Sequence, residues 1–146
     1  TKLTLFDLPQ VAQAARNRLT EKGLADRIEA VGGDFLKTPL PGDADLVTLI
    51  RVLFDHPDRV VAPLLKAIRS AIAPDGALLI AEPVSETPGG ERIADSYFGF
   101  YLLAMGEGQV RTKAHHTNLL HAAGFSKVRA LSSRMPHLVR LIEARP

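Results

Sequence analysis

Asp45 to Leu53 reads DLVTLIRVL, an almost unbroken run of apolar and β-branched side chains. A run this short and continuous predicts a strand buried on both faces, the habit of strands in a parallel sheet covered by helices. Parallel neighbours need crossover connections, so helices must alternate with strands along the chain. They do. Pro57 opens a helical pattern carrying Val60, Val61, Leu64, Leu65, Ile68 and Ile72; "APDG" breaks it, and Ala77 to Ala81 reads as the next strand. Upstream, Leu3 to Asp7 predicts a strand, and Pro9 starts a helix with Val11, Ala14, Ala15 and Leu19 inward and Gly23 as its stop. Arg27 to Val31 predicts another strand, ending at Gly32-Gly33-Asp34.

The second half predicts a helix from Glu91 to Met105 whose Tyr97, Phe98, Phe100, Tyr101, Leu102 and Leu103 form an apolar face too wide for an exposed surface helix. A further helix begins at a Thr112 cap, turns Leu119 and Leu120 inward and stops at Gly124. Lys127 to Leu131 and His137 to Ala144 read as strands separated by a polar turn too short for a crossover, so they must pair antiparallel. The expected class is α/β: a mostly parallel, Rossmann-like sheet with an antiparallel strand at its C-terminal end.

With 146 residues and 46% hydrophobic side chains, one core and a single domain over residues 1–146 are expected. The 18 basic and 16 acidic residues are scattered, which argues against nucleic acid as a partner. No apolar run approaches a membrane span, and no basic region with an apolar signal core opens the chain. Without cysteine, disulfides, thiolate nucleophiles and Cys-ligated metals are excluded, and a cytoplasmic location is expected. No metal is expected either. His115 and His116 point about 100° apart on a helix, and His121 is off the spacing that shares a face with His116, so all three read as surface or substrate-wall residues.

Carboxylates stand at the ends of successive strands: Asp7, Asp34, Asp55 and Glu82. Ligands of open α/β sheets bind outside those ends. Asp7 could accept two hydrogen bonds from a ribose diol, and Asp34 with Phe35 could offer a purine an acceptor and an apolar face. The competing reading of each is a cap or turn residue.

"LFDLP", "GGDFLKTPLPGDADLVTLIRVLFDHPD", "APDGALLIAEPV" and "GQVRTKAHHTNLLHAAGF", with the final strand pair, resemble in order and spacing the catalytic domain of S-adenosylmethionine-dependent small-molecule O-methyltransferases. "ERIADSYFGFYLLAMG" is most similar to the bacterial branch acting on carotenoid hydroxyls, the demethylspheroidene type. The resemblance implies S-adenosyl-L-methionine as cofactor, with Asp7 at its ribose, Asp34 and Phe35 at its adenine and Arg51 nearby. It implies an apolar alcohol as substrate and a homodimer for a full-length parent. Such domains begin with a strand and a Gly-rich loop ahead of the segment matching Leu3 to Asp7, so the chain is expected to be a partial C-terminal catalytic domain, inactive in isolation.

Many members of that family carry a histidine base where this chain has Phe54, and a phenyl ring cannot take a proton. Glu82 matches a glutamate that orients the base, whereas a second such glutamate is replaced by Val110. Glu82 and His56 are therefore the candidate catalytic residues, and Phe54, Tyr97, Phe98 and Tyr101 the candidate substrate wall. Two other readings compete: a non-catalytic methyltransferase-fold module serving as a partner surface, and the latter part of an NAD-dependent dehydrogenase.

Overall fold

The computed structural model describes residues 1–90 and 92–146, and of Ala94 only the backbone. Its elements run β1 (Leu3–Asp7), α1 (Pro9–Glu21), β2 (Ile28–Gly32), β3 (Ala44–Ile50), α2 (Asp58–Ala71), β4 (Ile72–Glu82), α3 (Phe98–Met105), α4 (Lys113–Ala122), β5 (Lys127–Leu131) and β6 (Arg140–Arg145). A 3₁₀ turn spans Leu53–Asp55, and a π-helical segment, Arg92–Tyr97, leads into α3. The predicted start of that helix at Glu91 lies outside the described residues. Contacts divide the chain into two compact units, Thr1–Gly42 and Asp43–Pro146.

The first unit is a β-α-β arrangement. β1 and β2 pair in parallel, with Asp7 opposite Gly32, and α1 supplies the crossover such a pair needs. Pro9 stands at the first position of α1, where its missing N–H costs nothing. Gly32 allows the close helix-to-strand approach, since a Cβ there would lie 3.0 Å from the Pro9 Cα.

The second unit holds a four-stranded sheet in the order β3-β4-β6-β5. β3 and β4 are parallel, and β6 is antiparallel to both β4 and β5, as the short final connection requires. Leu78, Ile80, Ile142 and Ala144 of the sheet are buried, as are Val61, Leu64, Leu65 and Ile68 of α2, Leu120 of α4 and Phe125. Thr112 caps α4, its hydroxyl accepting the His115 N–H at 3.1 Å. Among the described residues no helix is long and apolar enough to cross a membrane.

Several features differ from the sequence reading. β4 begins at Ile72 rather than Ala77, because Ile72 leaves the helical pattern and pairs with Ala44 ahead of a register shift. β3 stops at Ile50 rather than Leu53, because Arg51 takes a left-handed φ of 56° and the chain turns into the 3₁₀ segment. β3 is an edge strand of the four-stranded sheet, with Leu46 and Ile50 exposed, so the doubly covered strand is β4 and not β3. β6 begins at Arg140 rather than His137, because Leu138 and Val139 spend their N–H groups on the Met135 carbonyl in a turn.

Candidate functional site

In the first unit, the parallel pairing of β1 and β2 brings Asp7 and Asp34 to the same edge, where the Gly33 N–H donates to the Asp7 carbonyl at 2.8 Å. Asp7 Oδ1 accepts the Leu8 N–H at 2.7 Å, which leaves Oδ2 without a hydrogen bond among the described residues. Asp34 has turn duty: Oδ1 accepts the Leu36 N–H at 2.9 Å, its carbonyl accepts from Lys37 and Thr38, and Oδ2 lies 3.5 Å from the exposed Lys37 ammonium. Phe35 is half-buried beside it. Gly33 is packed so tightly that a Cβ would come within 2.5 Å of the Phe6 ring.

In the second unit, the end of β4 delivers Glu82 to the turn that follows β3. Glu82 is 1% exposed, and its Oε2 accepts the Phe54 N–H at 2.8 Å. Glu82 Oε1 and Asp55 Oδ1 are buried and accept no hydrogen bond from the described residues. Desolvation raises Glu82 to about 7, against the pull of the Phe54 N–H and the Arg111 charge, and the nearby Asp55 pushes it further upward. Asp55 is itself raised, again chiefly by desolvation, with His56 and Arg51 opposing.

An aromatic cluster forms around Phe54, the residue whose N–H holds Glu82. Phe54 meets Phe98 edge-on at 5.9 Å and stacks on Tyr101 at 6.2 Å, while Leu102, Ile93 and Val110 complete the packing. The Arg51 guanidinium is exposed, and its carbon lies 5.4 Å from the Phe54 ring centroid and 4.9 Å from that of Phe98. Such contacts are worth about 0.5–1 kcal/mol at exposed sites and help offset the left-handed backbone of Arg51. The stretch from Tyr97 to Leu103 does not present one uniform wall: Phe98 and Leu102, four apart, are buried, whereas Tyr97, Phe100, Tyr101 and Leu103 are exposed.

The residue that organises the turn is one the sequence reading passed over. Arg111 is fully buried, and its guanidinium donates to the Leu53 carbonyl at 2.8 Å, the His56 carbonyl at 2.7 Å and Asp58 Oδ1 at 2.8 Å. Asp58 Oδ2 in turn lies 2.7 Å from His115 Nε2. Partial burial disfavours ionisation of Asp58, but hydrogen bonds from Arg111 and His115 outweigh it and hold the carboxyl below its ordinary range. His116 is buried, not a surface residue, and desolvation together with the Arg111 and His115 charges lowers it to about 4. No group of three or more His, Asp or Glu among the described residues is arranged to hold a metal ion.

Gly108 lets the chain pass over the same turn. It has φ of 103°, and a Cβ would lie 2.5 Å from the Phe54 carbonyl oxygen. Gly108→Ala is expected to cost about 2 kcal/mol, from overpacking and left-handed strain together. Urea denaturation of the variant measures it, and a loss below about 0.5 kcal/mol would mean the turn is free to shift.

Residues 1–126 match the family model described as the O-methyltransferase domain. The chain is 43% identical over 143 residues to a demethylspheroidene O-methyltransferase of Cereibacter sphaeroides, covering 98% of this chain and 38% of that protein. It is 35% identical over 141 residues to the acetylserotonin O-methyltransferase of Mus musculus, covering 94% of this chain and 36% of the relative. Among solved structures, human N-acetylserotonin methyltransferase in complex with SAM superposes with a TM-score of 0.82 at 32% identity, over 99% of this chain and 40% of that one. The chain thus spans about two fifths of the length of the curated relatives it matches.

Proposed function

The chain belongs to the O-methyltransferase domain family, and on that premise we propose that it forms the catalytic part of an enzyme that transfers a methyl group from S-adenosylmethionine to a hydroxyl of an apolar small molecule. The proposed substrate is a hydroxylated carotenoid, a reading supported by the two demethylspheroidene O-methyltransferases at 43% and 40% identity. The observation that carries the activity is the buried Glu82 carboxyl, tied at 2.8 Å to the N–H of Phe54, whose ring packs against Phe98 and Tyr101. A carboxyl group raised close to neutrality in a water-poor site is equipped to hold or release a proton at working pH.

The residues of the first unit fit the cofactor. Asp7 keeps one carboxylate oxygen outside its bond to Leu8, as a ribose diol requires, and Phe35 offers an apolar face beside Asp34. S-adenosylmethionine supplies, when bound, a methyl group on a positively charged sulfur with a neutral leaving group. Much of the acceleration then comes from alignment. Phe54, Phe98 and Tyr101 exclude water around the acceptor, Tyr97 extends that wall from the edge of Phe98, and Glu82 fixes the turn on which Phe54 and Asp55 sit. Arg51 holds two rings of the wall. His56 follows Asp55, and its carbonyl is held by Arg111. A protein that keeps the fold as a non-catalytic partner surface is the competing reading, favoured by the phenyl ring of Phe54 in the place of a base.

Methyl transfer from isotopically labelled S-adenosylmethionine, assayed in the complete protein, separates the two. Label in the methyl ether of a hydroxylated carotenoid is expected. Label in N-acetylserotonin alone would move the substrate class, and no transfer to either would favour the partner surface. In the same protein Asp7→Ala is expected to weaken S-adenosylmethionine binding by about 1.5–3 kcal/mol, the worth of hydrogen bonds to a charged group. Calorimetric titration reads this directly, and unchanged affinity would remove Asp7 from the site.

A further inference from the structure

Phe54 cannot accept a proton, yet an alcohol that becomes an ether must lose one. Two carboxyls adjoin Phe54, Asp55 as the next residue of the chain and Glu82 as the acceptor of its N–H at 2.8 Å. Glu82 is anchored by one oxygen to the Phe54 N–H, and its other oxygen is buried without a donor; Asp55, the next residue along, likewise has a buried oxygen without a donor. Two acceptor-only oxygens out of water are one proton short of satisfaction. Glu82 is sealed at 1% exposure, whereas Asp55 is only half-buried and is the member a bound molecule can reach.

We propose that Asp55 is a catalytic residue that works with Glu82 as one proton-holding carboxyl pair, Asp55 receiving the proton of the acceptor hydroxyl and Glu82 sharing it. This rests on the O-methyl transfer reading above. The balance is simple: the hydroxyl O–H bond breaks and its proton passes to Asp55, the oxygen forms the new bond to the methyl carbon, and the electron pair of the broken carbon–sulfur bond stays on the departing sulfur. The charged surroundings suit a pair that carries one proton. Arg51 and His56 favour the ionised form of Asp55, Arg111 favours that of Glu82, and the Asp55 charge opposes ionisation of Glu82. Asp58 already takes two of the Arg111 donor atoms and meets His115, and the charges of Arg111, His115 and Asp58 bear on His116.

The test has a reading independent of activity. In ¹³C-carboxyl NMR titration of the protein, Asp55→Asn is expected to lower the Glu82 midpoint by about one unit, the size that marks interacting sites, whereas Glu82→Gln, a neutral group in place of a carboxyl still protonated while Asp55 titrates, should leave the Asp55 midpoint near that of the parent. A Glu82 midpoint unchanged in Asp55→Asn would overturn the pair. In the complete enzyme, Asp55→Asn should lower kcat about 10²-fold, with KM little changed, and displace the near-neutral limb of the pH–rate profile. A kcat within about twofold of wild type, or an unmoved limb, would overturn the catalytic role even if the titrations were coupled. If the unsubstituted enzyme methylates no alcohol, the transfer reading fails and the catalytic role of Asp55 with it, while the titration still decides whether the pair exists.

Discussion

Arg111→Met is expected to destabilise the protein by about 3–5 kcal/mol, the range for removing one partner of a buried charged network. The guanidinium is fully buried, and its fork serves the Leu53 and His56 carbonyls and the Asp58 carboxylate at once. Methionine keeps much of the stem volume, so the loss isolates the polar contacts rather than a cavity. The His56 carbonyl would lose the Arg111 donor, at about 1–3 kcal/mol where water cannot replace it, whereas the Leu53 carbonyl keeps the His56 N–H at 3.1 Å. Asp58 is 42% exposed at its side chain and can rehydrate, so its share of the loss is smaller. Arg111→Lys keeps the charge but presents a single ammonium to acceptors spread across a planar fork, and an intermediate loss is expected. Urea denaturation of both variants measures the effect. A loss below about 1 kcal/mol for Arg111→Met would show that the Leu53–Asp55 turn is held by its aromatic packing instead.

That Arg111 escaped the sequence reading has a physical reason. Its partners at Leu53, His56 and Asp58 are more than fifty residues upstream, and nothing local distinguishes a buried arginine from an exposed one. What periodicity and turn chemistry report is local, and there they served well. The Pro9 start of α1, the Thr112 cap of α4 and the antiparallel closing pair all follow from interactions within a few residues. Strand ends were less legible, because the left-handed Arg51 and the turn at Met135 are set by packing around them and by no residue type that advertises it.

His116 is the case in which a signal was present and unused. It stands four residues before Leu120, so the two share a helix face, and Leu120 was expected inward. The consequence of that spacing is burial, and His116 is 2% exposed. The aromatic segment around Phe98 was legible as a wall but not as a two-faced helix. Its composition is apolar on every side, and only contacts distinguish Phe98 and Leu102 from Phe100 and Leu103.

Glu82 and His116 make opposite demands on pH, and their cancellation is testable. Glu82 rises from an ordinary value of 4.5 to about 7, chiefly by desolvation, so the folded state binds the extra proton. Its contribution is fully present below 4.5 and is lost as pH rises through about 7, a swing of about 3 kcal/mol. His116 falls from 6.5 to about 4, also chiefly by desolvation, so its contribution is fully present above 6.5 and is lost as pH falls through about 4, again about 3 kcal/mol. Between pH 4.5 and 6.5 the two slopes oppose, and the unsubstituted protein should show little change in stability there. Glu82→Gln removes the falling limb, and stability should climb steadily with pH from 4 to 6.5 and exceed the parent's near pH 8. His116→Asn removes the rising limb, and stability should decline from 4.5 to 7. Urea denaturation across that range reads both slopes. Parallel profiles for the parent and the two variants would mean that neither group changes its proton affinity on folding, and the neutral-range carboxyl on which the proposed chemistry depends would be lost.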